Sequence, residues 1–80
     1  MNKIYLVCEK VFVDDVLYAC YVLKVYRDLD NARDRLQKEV ELLVAGDSKW
    51  TTDTNGVNYI DMTQYGWKRH YYIIERFVED

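Results

Sequence analysis

Apolar residues recur at steps of three and four along one stretch of this chain, at Leu29, Ala32, Leu36, Val40 and Leu43. That spacing predicts a single helix over residues 28–46 with one apolar stripe. Arg33, Arg35, Lys38 and Glu41 fall largely outside the stripe. Asp28 suits the N-cap, where a carboxylate accepts from the free amides of the first turn, and Asp28 and Asp30 both suit the positive end of the helix dipole. Gly46 is expected to end the helix in a left-handed cap.

The rest of the chain has strand character. Residues 4–13 and 16–26 are rich in β-branched and aromatic side chains, and the acidic pair Asp14-Asp15 between them suits a tight turn. With those two residues as the loop, Cys8 would face Tyr21 and Cys20 would face Glu9, which puts the thiols on opposite faces. A one-residue change of register would set them directly across from each other. The continuous apolarity of the second run predicts that both of its faces are covered. Residues 47–56 are polar apart from Trp50 and read as the longest loop, with Asn55-Gly56 a turn signal. Strands over 57–62 and 70–78, separated by a turn around Gly66, complete the pattern. The expected fold is α+β in the order ββαββ: an antiparallel four-stranded sheet with one helix on one face, all in one domain over residues 1–80.

This architecture leaves surface to spare. A helix of that length covers one face of a four-stranded sheet, yet the strands are apolar on both sides; Ile4, Leu6 and Cys8 oppose Tyr5 and Val7, and Tyr72 and Ile74 oppose Tyr71, Ile73 and Phe77. The second face is expected to meet a second copy of the chain, giving a homodimer, or a partner protein. The alternative is a monomer in which strand curvature and long Lys and Arg stems do the covering. Eight tyrosines and two tryptophans suit an interface, since such rings sit comfortably half-buried.

Composition narrows the classes of function. Fourteen acidic against eleven basic side chains give a net charge of −3, with the signs interspersed, so the basic excess of a nucleic-acid binder is absent. No apolar run has the length of a membrane span, and the start of the chain lacks a signal-peptide shape; no membrane partner and a cytoplasmic location are expected. Two cysteines are too few for a disulfide scaffold. His70, the one histidine, reads as an ordinary surface residue, and Cys8, Cys20 and His70 have no chelating spacing. Gly46, Gly56 and Gly66 are isolated, unlike the glycines of a phosphate loop. The reading is a non-enzyme with no cofactor, no metal and no catalytic residue. Six acids, Glu9, Asp14, Asp15, Asp28, Asp30 and Asp34, could form a local acidic edge.

Candidate binding residues remain. Trp50 stands in a polar loop and either folds back onto the body or anchors a partner; the same choice applies to Tyr65 and Trp67. The segment Trp67-Lys68-Arg69-His70-Tyr71-Tyr72 interleaves basic and aromatic side chains as a single-strand nucleic-acid site would, but it is short and sits in an acidic chain, so direct nucleic-acid binding is not the first expectation. Trp50, Tyr65, Trp67, Arg69 and Tyr71 are the expected partner-binding set.

The run Val25-Tyr26-Arg27-Asp28-Leu29-Asp30-Asn31-Ala32-Arg33-Asp34-Arg35-Leu36, placed after an amino-terminal hairpin, resembles the strand-to-helix joint of small proteins encoded by phages, prophages and mobile elements. That joint is an aromatic, a polar cap, Leu, two polar residues, Ala and a basic helix. Members with understood activities include anti-CRISPR proteins and other inhibitors of host defence, which bind and occlude a protein or nucleoprotein complex without catalysis. The resemblance implies that class of function and assigns no individual residue. A small nucleic-acid-binding or regulatory protein, using an aromatic and basic sheet face, is the alternative.

Overall fold

The computed structural model describes residues 2–79. The elements in chain order are β1 (Asn2–Val13), β2 (Val16–Tyr26), α1 (Leu29–Gly46), β3 (Thr51–Asn55), β4 (Tyr59–Gln64) and β5 (Trp67–Val78). The strands form one antiparallel sheet in the order β2-β1-β5-β4-β3, with α1 across one face. The α+β class and the single helix match the sequence reading. The number of strands does not: Thr51–Asn55 is a fifth strand where a loop was expected. Its side chains are polar and all exposed, so neither an apolar run nor alternation announces it; pairing to β4 creates it.

Helix α1 docks by the stripe its sequence predicts. Ala32, Leu36 and Val40 are buried, and Leu43 packs beside them, against Val7, Trp50, Ile60, Met62 and Tyr71 of the sheet side. At the amino end the Asp30 amide donates to the Asp28 carboxylate at 2.8 Å, which is the expected cap. The carboxyl end differs from expectation. Gly46 is the last helical residue without a left-handed conformation, and the chain leaves through Asp47, which is extended and whose amide donates to the Leu43 carbonyl at 3.0 Å. The Asp47 carboxylate accepts from the Lys49 amide at 3.0 Å and the Gln64 side chain at 2.9 Å, tying the helix exit to β4.

The first hairpin turns at Asp14-Asp15 as expected, with φ of 48° and 65°, the mirror-image turn that matches strand twist. Irregularities between Val7 and Cys8 and between Val11 and Phe12 then shift the register, so Cys8 faces Val22 and Cys20 faces Lys10 instead of Tyr21 and Glu9. Both thiols therefore lie on the same face, the one without the helix. Strand β2 is also not covered on both faces: it is an edge strand, and Val16, Leu17, Tyr18, Tyr21, Val22 and Val25 are exposed, while only Leu23 and Tyr26 of the strand pack on the core. A continuous apolar run is the mark of a central strand, and this one breaks that rule.

Two stability predictions follow from these ends and turns. Asp15→Gly should raise unfolding free energy by about 1 kcal/mol in urea titration, because glycine adopts a positive φ without the steric cost an L side chain bears there. The two amide donors hold the Asp47 carboxyl below its ordinary value of 3.8, so its ionised form stabilises the fold above that value and the contribution is lost as pH falls through the lower folded value. Asp47→Ala should therefore lower the thermal midpoint at neutral pH, with the difference from the natural chain shrinking below about pH 4.

Candidate binding face on the open side of the sheet

Cross-strand pairing sorts the paired side chains of the sheet to one of two faces. On the helix side, Val11, Glu9, Val7 and Tyr5 of β1 lie opposite Arg69, Tyr71, Ile73 and Glu75 of β5. On the open side, Phe12, Lys10, Cys8, Leu6 and Ile4 lie opposite Lys68, His70, Tyr72, Ile74 and Arg76. Strand β4 adds Thr63, Asp61 and Tyr59 to the open side, opposite Lys68, His70 and Tyr72.

The centre of the open face is a stack of rings. The His70 and Tyr72 rings lie nearly parallel with centroids 4.8 Å apart, Tyr59, opposite Tyr72 on β4, lies tilted 5.7 Å from the His70 ring, and Lys10 Nζ sits 5.2 Å from the centre of the Tyr72 ring. Gly56 makes room for this layer, since a Cβ there would fall 2.0 Å from the Tyr59 ring. His70 Nδ1 is hydrogen-bonded to the Asp61 carboxylate, which is nearly buried. His70 is thus a fixed, partnered side chain, not the free surface residue expected. The Tyr72 hydroxyl, 3.7 Å from Cys20 Sγ, is pushed up to about 12 by burial and by that neighbouring thiol, and burial raises the Cys8 thiol as well. Both groups therefore stay protonated at neutral pH. The arrangement packs and donates; among the described residues it sets no activated nucleophile beside the imidazole.

Charge is sorted between the faces too. Lys10, Lys68 and Arg76 point to the open side, and Asp61, held by His70, is the one carboxylate described on β1, β2, β4 or β5 that joins them. Glu9 and Glu75 lie on the helix side. A chain of net charge −3 thereby presents a basic, aromatic and aliphatic face.

The expected partner-binding residues do not form one surface. Tyr71 is 2% exposed beneath the helix, and Trp50 has folded back into the same core, with the Arg69 guanidinium 5.4 Å above its ring. Arg69 also donates to Glu9 at 2.9 Å, which places Glu9 inside the molecule and not on an acidic edge. Only Tyr65 and Trp67 are exposed, at the β4–β5 turn, where Trp67 meets Tyr18 edge-on at 6.4 Å. They border a shallow depression of about 490 Å³ whose lining includes Asp14, Asp15, Lys49 and Lys68. The segment Trp67 to Tyr72 is split: its odd positions face the helix and its even positions, Lys68, His70 and Tyr72, face outward. The alternation was readable from the sequence, but the side the helix takes was not.

Among the described residues no group of three or more His, Cys, Asp or Glu side chains could hold a metal ion, and no helix is long and apolar enough to cross a membrane. Comparison with protein-family models, curated proteins and solved structures finds no match.

The Asp61–His70 bond has a measurable consequence. His70→Leu leaves a nearly buried carboxylate without its partner and should cost roughly 1–3 kcal/mol in urea unfolding. Adding Asp61→Leu should return most of that loss, giving a clear coupling energy in the double-mutant cycle.

Proposed function

We propose that this protein is a non-catalytic binding module that docks through the open face of its sheet onto an acidic surface of a larger protein or nucleoprotein complex, and acts by occluding it. The observation that carries this reading is the sorting of charge: on β1, β2, β4 and β5, three cations and one paired carboxylate stand on the sheet face that no described element covers. Ile4, Leu6 and Ile74 extend the same face with half-exposed aliphatic side chains, giving the apolar centre and polar surround common to protein interfaces. A mobile-element inhibitor of a defence nuclease complex of the CRISPR-Cas type, bound stoichiometrically, is the most specific form of this reading, and that form is supported by the sequence resemblance alone.

Single-stranded nucleic acid is the second reading, and the ring layer of Tyr59, His70 and Tyr72 beside Lys10 favours it. Two features weigh against it. The Tyr72 ring already stacks with His70 and has Lys10 near it, so a base would compete with contacts within the protein, and three cations neutralise few phosphates.

The two readings part in one experiment. Lys10→Glu/Lys68→Glu reverses the charge of the face, and Lys38→Glu on the exposed side of the helix serves as control. Stoichiometric inhibition of a purified nuclease complex should be lost in the first variant and retained in the second. Tight binding of a labelled single-stranded oligonucleotide that falls steeply with added salt would transfer the function to nucleic acid, and inhibition unchanged by charge reversal would overturn the docking face.

A further inference from the structure

The two edges of the sheet are finished differently. Strand β3 is five residues of Thr, Asp and Asn, all exposed, with an irregularity between Thr52 and Thr54 that brackets Asp53. Shortness, a bulge and a charge are the devices that keep an edge from pairing with another chain. Strand β2 at the other edge is long and mostly apolar: it runs for eleven residues with no proline, carries a single charge at Lys24, and exposes Val16, Leu17, Tyr18, Tyr21, Val22 and Val25. Its two irregularities leave Tyr18 and Leu23 as extra residues in the pairing to β1, and the stretch 19–22 between them is regular. An edge of this kind offers a row of unpaired backbone donors and acceptors flanked by apolar side chains.

We infer that β2 pairs antiparallel with β2 of a second copy, joining two five-stranded sheets into one of ten strands. The sequence of the strand supports that occupant. A two-fold axis through Tyr21, normal to the sheet, pairs the strand along its whole length and sets Val16 opposite Tyr26, Leu17 opposite Val25, Ala19 opposite Leu23 and Cys20 opposite Val22. Each of the four is an apolar pair joining a larger residue to a smaller one. Lys24 falls opposite Tyr18, a cation against a ring, and never opposite itself. An eleven-residue strand is about 36 Å long. A ladder of that length, with six exposed apolar side chains from each copy at its flanks, would bury on the order of 1,000 Å², at the lower bound for a specific interface.

The axis also fixes the faces. Rotation about the sheet normal leaves both helices on one side and both open faces on the other, so Lys10, Lys68 and Arg76 of the two copies share one continuous surface. The pairing does not depend on what that surface binds.

The test is mass in solution across micromolar concentrations. The natural chain should sediment at twice 9.7 kDa. Val22→Glu, at a position 59% exposed within the protomer, should give the single-chain mass with an unchanged circular dichroism spectrum, as should Val22→Lys. Mixing the two variants should restore the double mass, because opposite charges then meet across the axis. Amide exchange in the natural chain should show protection along β2 that fades on dilution. Lys10→Glu/Lys68→Glu should leave the mass unaltered, which keeps a failure of the open-face reading separate from a failure of this one. A natural chain that stays at 9.7 kDa, or a Val22→Glu variant that stays double, would overturn the inference.

Discussion

One helix has to shelter one side of five strands, and that shortage of cover governs the molecule. An eighteen-residue helix is about 27 Å long, while the longest strands have twelve residues and the molecule measures 45 Å along its greatest dimension. The helix meets the sheet through Ala32, Leu36 and Val40, which lie on Val7, Ile60, Met62 and Tyr71. Burying these side chains supplies the apolar gain on which so small a domain depends. Among the described residues no second layer covers the other side, so its character is decided by the strands alone.

Beneath the helix, the core does not end abruptly in solvent. Trp50 swings in from the polar segment after α1, Arg69 lies over its ring and bonds Glu9, and burial beside Glu9 pushes the Tyr71 hydroxyl far above its ordinary value. Arg69 and Glu9 are thus taken inside as an ion pair, with the buried Arg69 Nε left without a hydrogen-bond partner. This use of Glu9 and Arg69 draws charge of both signs inward from the middle of the sheet. What stays outside, on the open face, is the basic remainder.

The same alternation that builds the core therefore sets the composition of the open face. In β5, Arg69, Tyr71 and Ile73 go to the helix, and Lys68, His70, Tyr72 and Ile74 go to the other side. Stacking of His70 on Tyr72 and its bond to Asp61 hold the outward residues in fixed positions, so a partner would meet an ordered surface without the entropic cost of arranging flexible side chains.

The sequence by itself determined the elements whose physics is local. The three-and-four spacing specified α1 and its docking stripe, Asp28 its first turn, Asp14-Asp15 the tight hairpin, and β-branched runs the long strands, because each of these depends on residues within a few positions of one another. Tertiary structure decided the rest. The strand β3 exists only through its pairing with β4, since five polar residues have no pattern of their own. Register in the first hairpin moved at two bulges, which brought Cys8 and Cys20 to one face. Above all, a strand apolar on both sides does not say which side the helix will take. That choice is made by contacts between distant segments, and it sent Tyr71 and Arg69 inward while leaving Tyr72, His70 and Lys68 for the outside.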